Sequence, residues 1–222
     1  MEKAKSKPFR LKVSGENACF TRPEMKVERV SYEVMTPSAA RGILEAILWK
    51  PAICWHILQI DILKPIRWES VRRNEVGKKA VKPTSAILNG GRGKPMGILI
   101  EDDRQQRAGL FLREVVYVIH ADFEMTERAG PEDNVGKFTE MFIRRATNGQ
   151  CFHRPYFGCR EFPVDFEFIP REAPPLSTIK LSKDLGWMLY DLDFTGESPT
   201  PQFFHAELVD GVMDLRNVEV KS

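Results

Sequence analysis

Residues 36–51, TPSAARGILEAILWKP, leave the backbone little choice. Thr36 stands where a helix N-cap belongs, and Pro37 takes the first helical position, where its missing N–H costs nothing. Ala40, Ile43, Leu44 and Ile47 then fall on one face at the 3.6-residue period. Pro51 stops the helix and biases Lys50 towards an extended conformation. The wider stretch from Ala18 to Pro51 reads as the end of one strand, a basic loop, a second extended run and this helix. The remaining elements are arranged around it.

Phe9 to Phe20 alternates apolar and polar residues and predicts a first strand. Trp55 to Arg67 predicts a second, with Pro65 near an edge or bulge. Leu110 to Met125, dense in Val, Tyr, Ile and Phe, is the clearest strand signal in the chain. A second helix is expected from about Pro131 to Thr147, with Val135, Phe138, Phe142 and Ala146 on its apolar face and Asn148-Gly149 as its stop. Tyr156 to Phe168 alternates as a fourth strand, with Phe162, Val164, Phe166 and Phe168 on one side. The order β-α-β-β-α-β is the ferredoxin-like, or RRM-like, arrangement. Two further strands, Trp187 to Phe194 and Phe203 to Leu208, lead to a hairpin end at Asp210-Gly211. The expectation is therefore an α+β chain: a ferredoxin-like domain over 1–169 with a basic β-hairpin insertion near 68–97, and a small antiparallel β-sheet domain over 170–222.

A net charge of +2 by itself points to no nucleic-acid partner. The distribution of that charge says more. Lys64, Arg67, Arg72, Arg73, Lys78, Lys79, Lys82, Arg92 and Lys94 crowd one segment against only Glu69 and Glu75. The compensating acids collect at Glu101-Asp102-Asp103, at Glu132-Asp133 and in the C-terminal third. Such segregation is the footprint of a phosphate-backbone partner, and its rival is a solvated loop. The Gly-rich NGGRGKP lacks the ending and the strand-to-helix context of a Walker loop. No apolar run reaches the ~18 residues of a membrane span. The basic N-terminus has no apolar h-region behind it, so a cytoplasmic protein with no membrane partner is expected. Cys19, Cys54, Cys151 and Cys159 are expected as free thiols.

The stretch TRPEMKVERVSYEVMTPSAARGILEAILWKPAI is joined in order by KPI at 64–66, VRRNEV at 71–76, RQQRA at 104–108, EDNVGK at 132–137 and GCREFP at 158–163. LGWMLYDLDF at 185–194 and FFHAELVDGV at 203–212 complete the series. Together they resemble the CRISPR-associated RAMP protein of the type I-C (Dvulg) subtype, across nearly the whole chain. The resemblance implies an RRM-like fold followed by a small antiparallel sheet. It also implies a pre-crRNA endoribonuclease that holds the crRNA handle within its Cascade complex. Its partners would be CRISPR repeat RNA and the other Cascade subunits, with duplex DNA as a further polynucleotide. Cleavage in that family needs no metal or cofactor: the ribose 2′-OH attacks the neighbouring phosphate. Such a route calls for a base, positive charge on the phosphorane and an acid for the leaving oxygen.

Family sites draw on an aromatic or histidine at the end of the first helix and a Lys-His pair opening the second. The matching positions here are Leu48, Lys137 and Phe138. Leucine and phenylalanine move no proton, which leaves Lys137 as the matching polar group. His153, in the loop after the second helix, and Tyr32, before the first, are candidates to replace the missing groups. A non-cleaving subunit that only binds the 5′ handle is the alternative. For RNA contact the expected residues are Arg22, Lys26, Arg72, Arg73, Lys78, Lys79, Arg92 and Lys94, with Trp68, Trp49 and Phe20 as stacking candidates. Cys54-x-His56 and Cys151-x-His153 match none of the usual zinc frameworks, so no metal site is expected.

Overall fold

The computed structural model describes residues 4–25, 27–79, 81–91, 96–196 and 198–222. Helix α1 spans Pro37–Ile47, and the Thr36 hydroxyl accepts the Ala39 N–H at 3.3 Å, as the cap signal predicts. It packs near the sheet formed by β1 (Phe9–Ala18), β2 (Ile53–Ile62), β4 (Arg104–Met125), β5 (Asp165–Ile169) and β8 (Val212–Asp214). The strand order is β5-β1-β4-β2-β8, with every neighbouring pair antiparallel, and β3 (Trp68–Val76) pairs with β4 beyond it. The short α2 (Ser85–Leu88) lies between β3 and β4. The second long helix, α3 (Val135–Thr147), lays Phe142 between Phe9 and Trp55, with ring centroids 5.0 and 4.8 Å away. Phe123 closes the same aromatic cluster. Alternate residues of β1, namely Phe9, Leu11 and Val13, supply the floor of this core.

Strands β2 and β3 run in succession along one edge of β4. Ile53 faces Met125 and Ile62 faces Tyr117, then Trp68 faces Leu112 and Val76 faces Arg104. The interruption at 63–67 contains Pro65, which has no N–H to give a ladder. Opposite it, Glu114 adopts φ 52°, while the β1–β4 register stays constant on either side, Gly15 facing Val115 and Asn17 facing Arg113. An Arg67–Glu114 ion pair spans the interruption between β2 and β3. Beyond Leu110, residues 104–109 pair with β3 alone, so β3 and this run form a two-stranded arm.

Several element boundaries differ from the sequence expectation. The strand read over 55–67 ends at Ile62, where the proline segment begins. β4 starts at Arg104 because the polar RQQRA run pairs with β3 as an exposed ribbon. α3 starts at Val135, since Asn134 rather than Pro131 caps it by accepting the Lys137 N–H at 2.9 Å. The strand expected over 156–168 is present only from Asp165. Residues 156–164 instead form a tight loop with one bridge, Tyr156 to Pro163. There Gly158 has φ 75°, and a Cβ would lie 2.0 Å from the Cys19 carbonyl, so only glycine fits. Phe157, Phe162 and Val164 are buried all the same, so their spacing reported burial rather than strand.

The last fifty residues contribute to both sheets. β6 (Lys183–Asp193), β7 (Thr200–Leu208) and β9 (Val220–Lys221) make a separate antiparallel sheet, while β8 pairs with β2. Among the described residues no helix is long and apolar enough to cross a membrane.

Candidate nucleic-acid interface

Strand alternation sends adjacent arm residues to opposite faces, so Arg72 and Arg73 part company. The Arg73 guanidinium lies 5.1 Å from the Phe111 ring and 5.9 Å from the Phe162 ring, and it pairs with Glu161. Glu161 also takes Arg29 at 2.9 Å, so Arg73 belongs to a bracket that fastens the arm to the 156–164 loop. Arg72 is exposed on the other face, opposite Ala108, with no ion-pair partner among the described residues. Lys78 and Lys79 are exposed at the arm's tip, where Asp103 accepts the Lys78 N–H at 2.9 Å. Lys26, Arg92 and Lys94 lie outside the described residues.

Arg22 sits in the loop between β1 and α1, with its guanidinium 4.6 Å from the Tyr32 ring and Glu24 at 3.8 Å. Tyr32 is buried, and its hydroxyl accepts the Leu189 N–H at 3.2 Å, joining this loop to β6. Burial pushes its phenol above the ordinary value. Close by, the Cys159 sulfur stands 3.9 Å from the Thr21 hydroxyl and the Cys19 sulfur 3.4 Å from it. Hydrogen bonding from the Cys19 thiol brings Cys159 down to about 6, while the same bond, together with burial, pushes Cys19 far up.

The lysine singled out by the resemblance stands away from this loop, at the start of α3. Lys137 opens α3, and its ammonium meets Asp133 at 2.9 Å while lying 5.7 Å from the Phe138 ring. The hydrogen bond from Lys137, with a second from the Gly130 N–H at 3.0 Å, holds the Asp133 carboxyl below the usual carboxylate range. A cavity of about 260 Å³ opens here, with Lys50, Arg128 and Lys137 around Asp133. Three cations here stand against one carboxylate. Phe138 lines the cavity, and both Phe138 and Leu48 are buried and present no proton-transfer group.

His153 is exposed in the loop leaving the far end of α3, its ring 6.0 Å from Phe152 and 6.5 Å from Tyr156. From Lys137 to the last turn the helix alone rises about 15 Å. Lys137 and His153 thus belong to opposite ends of α3, and Tyr32 is engaged with β6. Of the stacking candidates, Phe20 is buried and unavailable, whereas Trp49 and Trp68 are exposed. Among the described residues no three His, Cys, Asp or Glu side chains stand together as a metal-ligand group. Sequence reasoning passed over Lys50 and Arg128. Lys50 carried a signal, as the cation between the helix end and Pro51, whereas Arg128 is brought in only by the turn after β4.

The family described as CRISPR-associated protein (Cas_Cas5) matches residues 9–216. The CRISPR pre-crRNA endoribonuclease Cas5d of Mannheimia succiniciproducens is 54% identical over 212 residues, covering 93% of this chain and 94% of that protein. Its namesake in Thermus thermophilus is 40% identical over 226 residues, covering 93% and 90%. A solved CRISPR-associated protein superposes over 100% of both chains with a TM-score of 0.72 at 20% identity. A chain of a CRISPR RNA-guided surveillance complex superposes over 97% of this chain and 89% of its own, with a TM-score of 0.51 at 14% identity. This chain, with its buried Leu48 and Phe138 and its Lys137 cleft, therefore belongs to the Cas5d family of CRISPR-associated proteins.

Proposed function

We propose that this chain binds CRISPR repeat RNA, cuts the precursor transcript at the repeat hairpin without a metal, and stays bound as a subunit of a type I-C surveillance complex. The observation that carries the reading is the 54% identity to a pre-crRNA endoribonuclease across 93% of the chain. The cleft around Lys137 supports it, because an ammonium there would stabilise charge developing on a phosphorane. Arg72, Lys78 and Lys79 on the arm would track phosphates, and Arg22 would extend the path beyond Tyr32.

The strand order β5-β1-β4-β2 with α1 and α3 is the pairing of a ferredoxin-like domain, and we read residues 1–169 in that way. Residues 170–222 then act as a brace, since they supply both the second sheet and β8. A cytoplasmic location follows from the RNA partner. The buried, apolar Leu48 and Phe138 favour a second reading, a handle-binding subunit that cuts slowly or not at all. Each missing general acid or base costs on the order of a hundred- to ten-thousandfold.

Incubating the protein with repeat RNA in EDTA decides between them. Cleavage that falls at least about tenfold in Lys137→Ala is the expected result. RNA that is shifted in a gel but left intact establishes the handle-binding subunit. Full-rate cleavage by Lys137→Ala removes that residue from the chemistry.

A further inference from the structure

We propose that Trp49 and Phe152 form a stacking platform for unpaired bases of an RNA whose backbone enters the Lys50–Lys137 cleft. The proposal rests on the RNA-binding reading above and names what that site holds. Phe152 is 88% exposed and Trp49 59%, the former being the most exposed large apolar side chain among the described residues. Exposed leucines and valines on loops are commonplace, but here two aromatic rings are displayed on a fixed base.

That base is the C-terminal end of α1, where three successive carbonyls are each held from outside the helix. Ala46 accepts the Phe152 N–H at 2.8 Å, Ile47 accepts Arg145 at 2.8 Å, and Leu48 accepts the Trp55 indole N–H at 2.9 Å. The backbone beneath both rings is thereby pinned to one helix end. Tight anchoring of a fully displayed ring lowers the ordering cost of a ligand that lies flat on it. His153, edge-on to Phe152, widens the same surface.

Charge selects the occupant. Lys50 follows Trp49 directly and faces the cleft with Arg128 and Lys137, and Arg145 stands beneath Ile47. Aromatic faces rimmed by cations match a polyanion that carries planar groups. A duplex keeps its bases inside its own stack, so the partner is single-stranded RNA.

The test uses two labelled repeat RNAs, one with a single-stranded flank on the hairpin and one trimmed to the hairpin alone. Binding of wild type, Trp49→Ala, Phe152→Ala, the double variant and Arg72→Glu is followed by fluorescence anisotropy. Each ring removed should weaken binding of the flanked RNA about 5- to 100-fold and leave the trimmed hairpin unchanged. Melting temperatures should stay constant, and Trp49→Tyr with Phe152→Tyr should restore binding. The proposal is overturned if the double variant binds flanked RNA as wild type does while Arg72→Glu weakens both RNAs; the RNA-binding reading then survives alone. Equal loss on both RNAs also overturns it. Retained RNA binding with lost assembly into the surveillance complex would make the patch a protein interface instead. Wild type that binds neither RNA defeats the RNA-binding reading itself, and this platform with it.

Discussion

β4 crosses two very different surroundings. It pairs with β1 from Leu112 to Ala121 and with β2 from Tyr117 to Met125, with Tyr117, Ile119 and Phe123 buried in the core. From Arg104 to Leu110 it has β3 on one side and, on the other, the 29–31 segment, where Leu110 donates to the Arg29 carbonyl at 2.8 Å. Backbone pairing continues through both halves, whereas burial of side chains does not. The inner half derives its stability from apolar area, about 25 cal/mol for each Å² removed from water. The outer half has little such area, so its exposed cations remain available to a ligand. Buried core and exposed ribbon are thus separated along a single strand.

The largest expected effect lies at the inner end. Phe142→Ala should lower unfolding free energy by about 3–5 kcal/mol, measured by denaturant titration, because its ring fills the space between Phe9 and Trp55. A loss below about 1 kcal/mol would break the contrast, since the inner half would then not depend on its helix cover.

At the outer end the two arginines sharpen it. Arg72→Glu should weaken repeat-RNA binding about tenfold at moderate salt and reduce the slope of log affinity against log salt by about 1, without moving the melting temperature. Arg73→Ala should instead cost about 1 kcal/mol of stability through the lost Glu161 pair and ring contacts, with a smaller effect on RNA. Equal RNA losses in both variants would show that the two faces of the arm are not distinct.

Two smaller effects probe the ground between. Asp133→Asn releases the Lys137 ammonium and should tighten RNA binding about two- to fivefold in the same titration. Cys159 should be alkylated faster than Cys151 at neutral pH. Its lowered pKa leaves thiolate present above about 6, so the rate should fall as pH drops through that value. Mass spectrometry of maleimide-treated protein between pH 5 and about 9.5 measures both rates. A Cys159 rate still rising steeply above pH 8 would contradict the hydrogen-bonded thiolate.

How much of this was legible in the chain depended on whether the cause was local. α1 could be read from Thr36 to Ile47 because cap, proline and periodicity all act within one helix. The true length of β4 was hidden because RQQRA has no apolar pattern and is ordered only by its partner across the ribbon. Adjacency of Arg72 and Arg73 suggested a shared role, yet strand geometry places them on opposite sides. Asp133 was legible as a neighbour of Lys137 one helical turn away, whereas Arg128 and Lys50 arrive through tertiary packing. The apolar phase of Leu48 and Phe138 did foretell their burial, and with it the absence of a proton-transfer pair.

The joint at Glu114 and Pro65 has a genetic corollary. Side chains on an extended strand repeat every two residues, so parity decides which set looks outward. Adding or deleting one codon between Leu63 and Arg67 would invert that parity for the β3 side of the arm while leaving 115–125 in phase with β1. Arg73 and Glu75 would then occupy the outlook now held by Arg72 and Asn74. Reading-frame-neutral length changes in this short segment would therefore exchange one outward-facing charge set of the arm for another, with the β1–β4 register left in place.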